Sequence, residues 1–378
     1  MDLGPDSDFF TEDLSYNLVD PSAIEEEQQT RQIRDAIREI DPTRIVIDPI
    51  TQLRYLEASE YHYRKRILSF MRFLKRRGIT VLTTATSSAS HTGETEIKSL
   101  SDGVIELSRV AGGWRIAVQK HRGVGQIDDD HAVEIRAQGI EIFPKVCPGE
   151  TDRSFDPEPV SSGIAELDAL VGGGFERGTV TIISGPPGVG KTTLATYFLA
   201  NAAREVSTAV IYLFEERLET FMHRCKAIGI PVDELRDDGM LDVHVIEPQT
   251  FSAEEFAHHA RAQVDENGAE TVLIDGLGGY ASAIKGRDKD LEHDLHTVTR
   301  YLVNREVTVF LTDAIHQITG LVSATSRQIS PIADNLLFLS YVERQGNLRK
   351  VVGVLKKRAG VRIHTEDVRH HACGCSCR

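Results

Sequence analysis

The chain has 378 residues, too many for one ordinary hydrophobic core, so two domains are expected, and a hydrophobic content of 40% suffices to build them. The formal net charge of −14 argues against a general nucleic-acid binder, which needs a basic face, although it leaves room for a local basic groove. No apolar run is long enough to span a membrane, the start Met1-Asp2-Leu3-Gly4-Pro5-Asp6 lacks the parts of a signal peptide, and the isolated Cys147 and Cys225 suit a reducing cytosol. A cytoplasmic protein is the expectation.

In chain order, Arg44-Ile45-Val46-Ile47-Asp48 reads as a buried strand ending in a carboxylate. An amphipathic helix from Tyr61 to Arg77 follows, then the apolar strand Ile79 to Thr84. Ser101 to Leu107, Lys120-His121-Arg122 and a hairpin from Ala132–Arg136 and Gly139–Phe143 close this first copy. Residues 146–159 are rich in proline and acid, as a linker is. The second copy repeats the pattern: strand Thr271 to Asp275, helix Asp290 to Arg305, strand Val307 to Thr312, then Ala333 to Leu339 and Lys356-Lys357-Arg358. Asp48 and Thr84 stand 36 positions apart, Asp275 and Thr312 37. Alternating strands and helices with β-branched runs predict an α/β fold with mostly parallel sheets. The domain reading is a partial domain at 1–147, a linker at 148–160, a complete domain at 161–358 and an atypical tail at 359–378.

The second copy also carries Gly185-Pro186-Pro187-Gly188-Val189-Gly190-Lys191-Thr192, which fits G-x-x-x-x-G-K-[ST] at every fixed position. Val180 to Ser184 is a β-branched strand leading in, and Thr193 to Ala200 is a helix leading out. Glycines let successive backbone N–H groups turn inward around a phosphate, and the new helix aims its positive dipole end at the same place. Lys191 is expected to reach the β- and γ-phosphates and Thr192 to hold Mg²⁺. The chain is therefore expected to bind a nucleoside triphosphate. Lys191 precedes Asp275 by 84 positions, and the same spacing from Asp48 falls before Met1. The first copy is thus read as the C-terminal part of a domain without its phosphate loop. At the far end, His370, His371, Cys373, Cys375 and Cys377 run as H-H-x-C-x-C-x-C, not as the two separated ligand pairs of common zinc sites, and read as a departure from the domain pattern.

Asp275, at the end of a buried strand, is placed to hold the Mg²⁺ shell, or else to cap the strand. Glu215 and Glu216 follow the strand Ala209 to Phe214, where a carboxylate could orient or deprotonate an attacking water. The bland alternative is a solvated helix start. Lys356 and Arg358 alternate on a strand and share a face. Thr312 reads equally as a γ-phosphate sensor or a strand cap.

Ser162-Gly163-Ile164, Leu167-Asp168, Gly172-Gly173-Gly174, the phosphate loop, Phe214-Glu215-Glu216 and Ile274-Asp275 resemble a KaiC-type ATPase of the RecA superfamily, from about residue 10 to 358. The resemblance implies two RecA-like domains, here with the N-terminal one incomplete, ATP as the nucleotide at subunit interfaces, and a homo-oligomeric ring, usually a hexamer. It implies Glu215 as the catalytic glutamate with Glu216 in support, Thr193 with the loop residues Gly185 to Thr192 as nucleotide-binding, and Lys356 and Arg358 reaching a neighbour's γ-phosphate. Lys120 and Arg122 match that pair in the first copy, either serving a neighbour or lying as surface charges. Where such proteins carry a phosphorylated Ser-Thr pair, this chain has Ser330 followed by Pro331, so two-site phosphorylation is excluded and a single event at Ser330 stays open. The leading expectation is a regulatory ATPase signalling to protein partners. The alternatives are a non-hydrolytic ATP-binding module and, against the acid excess, a DNA recombinase.

Overall fold

The computed structural model describes residues 26–51, 60–86, 97–110, 113–123, 130–149, 159–205, 208–248, 250–285, 291–315, 331–344 and 346–357. Ser330, Arg358, the tail 359–378 and most of the acidic linker lie outside the described residues. Contacts divide the chain into two compact units, 1–104 with 120–125, and 105–119 with 126–378.

In the first unit, β1 (Arg44–Ile47) and β2 (Thr80–Thr83) pair in parallel, with Ile45 opposite Val81 and Val46 opposite Leu82. Period-2 alternation sends Ile45, Ile47 and Val81 toward Ile37, Phe70, Leu74 and Ile79, from or beside the helices Glu26–Ile40 and Glu60–Arg76. Val46 and Leu82 point to the other face and are exposed. The strand ends are tied by the Thr84 hydroxyl, which donates to the Asp48 carboxylate.

A four-stranded sheet follows in the order β3 (Gly103–Val110), β4 (Gly113–His121), β5 (Asp130–Arg136) and β6 (Gly139–Phe143). Most of it belongs to the second unit, so the contact boundary falls earlier than the proline-rich segment at 148–160. The physical reason is an ionic seam with the helix Ala253–Asp265. Arg115 pairs with Glu254, Arg136 pairs with Glu255, and Phe143 sets its ring edge-on to His258. The guanidinium partners offset the cost of taking those two carboxylates out of water.

The second unit's main sheet has seven strands. They are β9 (Val180–Gly185), β10 (Thr208–Leu213), β11 (Leu241–Val245), β13 (Ala269–Asp275), β15 (Thr308–Ala314), β16 (Asn335–Arg344) and β17 (Asn347–Lys357). The order is β11-β10-β13-β15-β9-β16-β17, and every pairing is parallel except β16 with β17. Short pairs lie beside it, β7 (Pro159–Val160) with β8 (Phe175–Glu176) and β12 (Phe251–Ser252) with β14 (Ile284–Lys285). The protein is therefore α/β with a mainly parallel sheet. The first unit shows two such strands among the described residues, not a second full sheet.

Central strands β9, β13 and β15 are buried on both faces, which is why they read as continuous apolar runs. One face packs Phe198, Phe175 and Phe310, with Phe198 and Phe310 centroids 4.7 Å apart. The other packs Phe256 against Tyr212, Phe214 and Tyr280 at 5.0, 5.6 and 5.4 Å. Phe256 has no exposed surface. Phe256→Ala is expected to destabilise the second unit by about 3–5 kcal/mol, read as a lowered midpoint in urea unfolding followed by circular dichroism.

Candidate functional site

β9 runs fully buried into Gly185. Gly185 sits at φ 156°, and a Cβ there would lie 2.4 Å from the Leu339 carbonyl oxygen, so the loop starts where only glycine fits. Pro187 and Gly188 are exposed at the crest, while Val189 plugs the core beneath. The helix Lys191–Glu205 then begins, pointing its first N–H groups back into the loop. Thr193 lies in its first turn. Lys191 folds over the loop it follows, donating from Nζ to the carbonyls of Gly185 at 3.0 Å and Pro186 at 3.1 Å. Burial pushes its ammonium pKa down, against the pull of Asp275, Glu215 and Asp313. The loop from Gly185 to Thr192 thus sets an ammonium group beside a helix N-terminus, an arrangement that fits a polyphosphate chain.

Three strands end together behind this loop. Parallel pairing sets Ile274 opposite Leu311 on β15, and β15 lies beside β9. That register brings Asp275 and Thr312 to the same level as Thr192. Thr192 Oγ1 donates to Asp275 Oδ1 at 2.9 Å, and Thr312 Oγ1 donates to the same oxygen at 2.7 Å. The Gly276 N–H donates to Thr312 Oγ1 at 2.7 Å, which fixes that hydroxyl as the donor to Asp275. Burial pushes the Asp275 carboxyl pKa up, and the two threonine hydroxyls draw it back down. A hydroxyl and a carboxylate beside a phosphate cradle are the hard oxygen ligands that Mg²⁺ takes, so Thr192 and Asp275 fit that ion.

Glu215 and Glu216 stand just past β10. Their side chains part. Glu215 Oε1 accepts from the Gly279 N–H at 2.8 Å, and a Cβ added at Gly279 would lie 2.5 Å from Glu215 Cγ. Glu216 is held by Arg224 of the helix Leu218–Ala227, at 2.6 Å between Nη2 and Oε2. Lys356 donates to the Ala333 carbonyl at 2.6 Å within its own chain. In the first copy, Lys120 likewise meets the carbonyls of Lys98 and Ser99, and Arg122 pairs with Asp102.

Lys350 and Arg224 have no signal in the sequence motifs, and Lys357 shows there only as the middle of a basic run. Lys350 on β17 donates to the Gly188 carbonyl at 3.2 Å, placing a second lysine on the loop crest from far along the chain. Arg224 joins the Glu216 side of the site to the loop helix. Buried Lys357 pairs with Glu176 at 3.0 Å and donates to the Gly174 carbonyl at 3.1 Å, holding the end of the glycine run Gly172–Gly174. Asp168 holds the Ser162-Gly163-Ile164 segment before it: its carboxylate accepts from Ser161 Oγ at 2.6 Å and from the Ser162 N–H at 2.8 Å, closing a turn.

A mainly parallel sheet whose central strand feeds a G-x-x-x-x-G-K-T loop, with a carboxylate two strands away meeting the loop threonine, defines a P-loop nucleotide-binding protein. A family model described as "ATPase: KaiC" matches residues 8–146 and 160–369. The chain belongs to the KaiC family of ATPases, of RecA-like P-loop type. It is 27% identical over 378 residues to the circadian clock oscillator protein KaiC of Nostoc sp., covering 98% of this chain and 70% of the relative. It is also 27% identical over 367 residues to the protein of that name from Parasynechococcus marenigrum, covering 95% and 69%. The KaiC 1 protein of Synechocystis sp. matches at 28% over 277 residues, covering 72% and 52%. No helix among the described residues is long and apolar enough to cross a membrane.

Thr312→Val keeps the shape of the side chain but removes a donor to Asp275 and the acceptor for Gly276. About 1–3 kcal/mol of stability should be lost, visible as a lower melting temperature than that of a surface control, Thr250→Val.

Proposed function

We propose that the second copy binds ATP with Mg²⁺ and hydrolyses it, with Glu215 as the base that takes a proton from the attacking water. The observation that carries this reading is the 2.9 Å contact of Thr192 with Asp275 beneath an intact phosphate loop. Membership of an ATPase family supports the choice of nucleotide. Lys191 neutralises the β- and γ-phosphates once the polyphosphate displaces the loop carbonyls from its ammonium group. Backbone N–H groups from Gly188 to Thr193 hold the phosphate oxygens, and Thr192 and Asp275 hold Mg²⁺. Bound there, the ion supplies charge neutralisation for phosphoryl transfer to water. Glu215 is the carboxylate of the pair that no guanidinium among the described residues holds, anchored by one backbone N–H, and it lies close enough to Lys191 for the two charges to interact.

In this reading Lys356 and Arg358 serve a neighbouring subunit, which makes full activity a property of a homo-oligomer, a ring of six by the family resemblance. The change of state on hydrolysis is the signal passed to protein partners. Domain limits at 147 and 160, a cytoplasmic location and a single phosphorylation at Ser330 belong to the same proposal.

Isothermal calorimetry and phosphate release with Mg²⁺ and ATP test it. Lys191→Ala is expected to lose nucleotide binding. Glu215→Gln should bind ATP within about twofold of the parent while turning over roughly a hundredfold or more slowly. Folded parent protein that shows no binding heat at millimolar ATP would overturn the reading.

A further inference from the structure

Adjacent carboxylates at a site for a polyanion pose a physical problem. Glu215 and Glu216 repel each other and the phosphates, and only one of them is wanted beside the attacking water. The structure gives them different anchors. Glu215 has the Gly279 N–H at 2.8 Å. Glu216 meets a guanidinium in a forked pair, with Arg224 Nε donating to Oε1 at 3.3 Å and Nη2 donating to Oε2 at 2.6 Å. The third nitrogen is also used. Arg224 Nη1 donates to Thr193 Oγ1 at 3.0 Å, and Thr193 directly follows the threonine bound to Asp275.

One planar group therefore spans the segment after β10, the helix Leu218–Ala227 and the first turn of the helix after the phosphate loop. Its own position is fixed. The guanidinium carbon lies 5.5 Å from the ring centroid of Phe221, which is fully buried. Glu216 and Arg224 side chains keep only 22% and 29% of their surface, so the pair is partly shielded from water and holds its geometry. Arginine suits the task because its fork reaches a carboxylate from two nitrogens and leaves the third for another acceptor. A lysine has no such plane.

We propose that Arg224 is a positioning residue for ATP hydrolysis, taking Glu216 out of the reaction and locking the carboxylate tandem to Thr193 so that Glu215 alone faces the attacking water. This rests on the reading of Glu215 as the base. Arg224 touches neither nucleotide nor water in this role. It acts through Glu216, and that makes the two residues thermodynamically coupled. Without Arg224, an unpaired Glu216 carboxylate adds charge beside the phosphates and competes for the Gly279 N–H. Neutralising Glu216 as well should remove most of the damage.

The test is a double-mutant cycle in the full chain with Mg²⁺ and ATP, using Arg224→Gln, Glu216→Gln, the double variant and Arg224→Lys, with kcat, KM and melting temperature recorded for each. Arg224→Gln should lower kcat about tenfold or more with KM within about twofold. The double variant should recover to within about threefold of Glu216→Gln. Arg224→Lys should fall between Arg224→Gln and the parent. Arg224→Gln with parental kcat, or losses that multiply across the cycle, would overturn the role of Arg224. Glu215→Gln is run alongside. If it turns over at the parental rate, or if the parent itself releases no phosphate, the base assignment fails and the role of Arg224 fails with it. If Glu215→Gln is slow while Arg224→Gln is normal, Arg224 alone is refuted.

Discussion

The oxygen of Asp275 that accepts two threonine hydroxyls is the point on which the second unit turns. Thr192 comes from the loop helix, Thr312 from β15, and Asp275 itself from the end of β13. A buried carboxylate is costly unless its lone pairs are met, and here each donor belongs to a different element. The hydrogen bonds thus fix the height of the loop helix relative to two strands. The same oxygen set that stabilises the fold is the one that fits a hard divalent cation, so fold and candidate site share one atom.

Parallel topology makes that convergence cheap in chain terms. With β9, β10, β13 and β15 all running the same way, each strand delivers its C-terminal end to one edge of the sheet. Gly185, Glu215, Asp275 and Thr312 accordingly gather from positions 185 to 312 at a single rim. Ligands at the carboxyl ends of parallel strands are the rule for such sheets. The antiparallel return of β17 adds one more contributor, because it brings Lys350 back over the exposed crest of the loop.

The first unit shows how far the pattern survives without a phosphate loop among the described residues. Asp48 still accepts from the Thr84 hydroxyl, as Asp275 does from Thr312, and β1 still pairs with β2 in parallel. The helix cover is kept, with Phe70 and Leu74 buried. Further along, the strands β4 to β6 owe their place to Arg115 and Arg136, whose partners Glu254 and Glu255 sit at the capped start of the helix Ala253–Asp265. Ser252 caps that helix by accepting from the Glu255 N–H at 3.1 Å.

The amino-acid sequence alone determined what depends on local order. The β-branched runs Val180–Ser184, Thr271–Asp275 and Val307–Thr312 became β9, β13 and β15, because a strand buried on both faces must be apolar throughout. The loop and its lysine were legible for a similar reason: cradling a phosphate needs glycine and lysine at fixed neighbouring positions. β11, with Leu241-Asp242-Val243-His244-Val245 alternating, and the helix Ala253–Asp265, with Phe256, Ala257 and Ala260 on one face behind the Ser252 cap, carry patterns of their own that a reading centred on the motifs passed over. Tertiary structure alone decided that Arg224 grips Glu216 and Thr193, that Lys350 crosses to Gly188, and that Arg115 and Arg136 tie β4 and β5 to a helix more than a hundred residues away. Each is a contact between residues whose separation along the chain bears no relation to their separation in space. A charged side chain in a sequence shows only its charge; which opposite charge it meets is set by the register of strands and the pitch of helices once the core has closed.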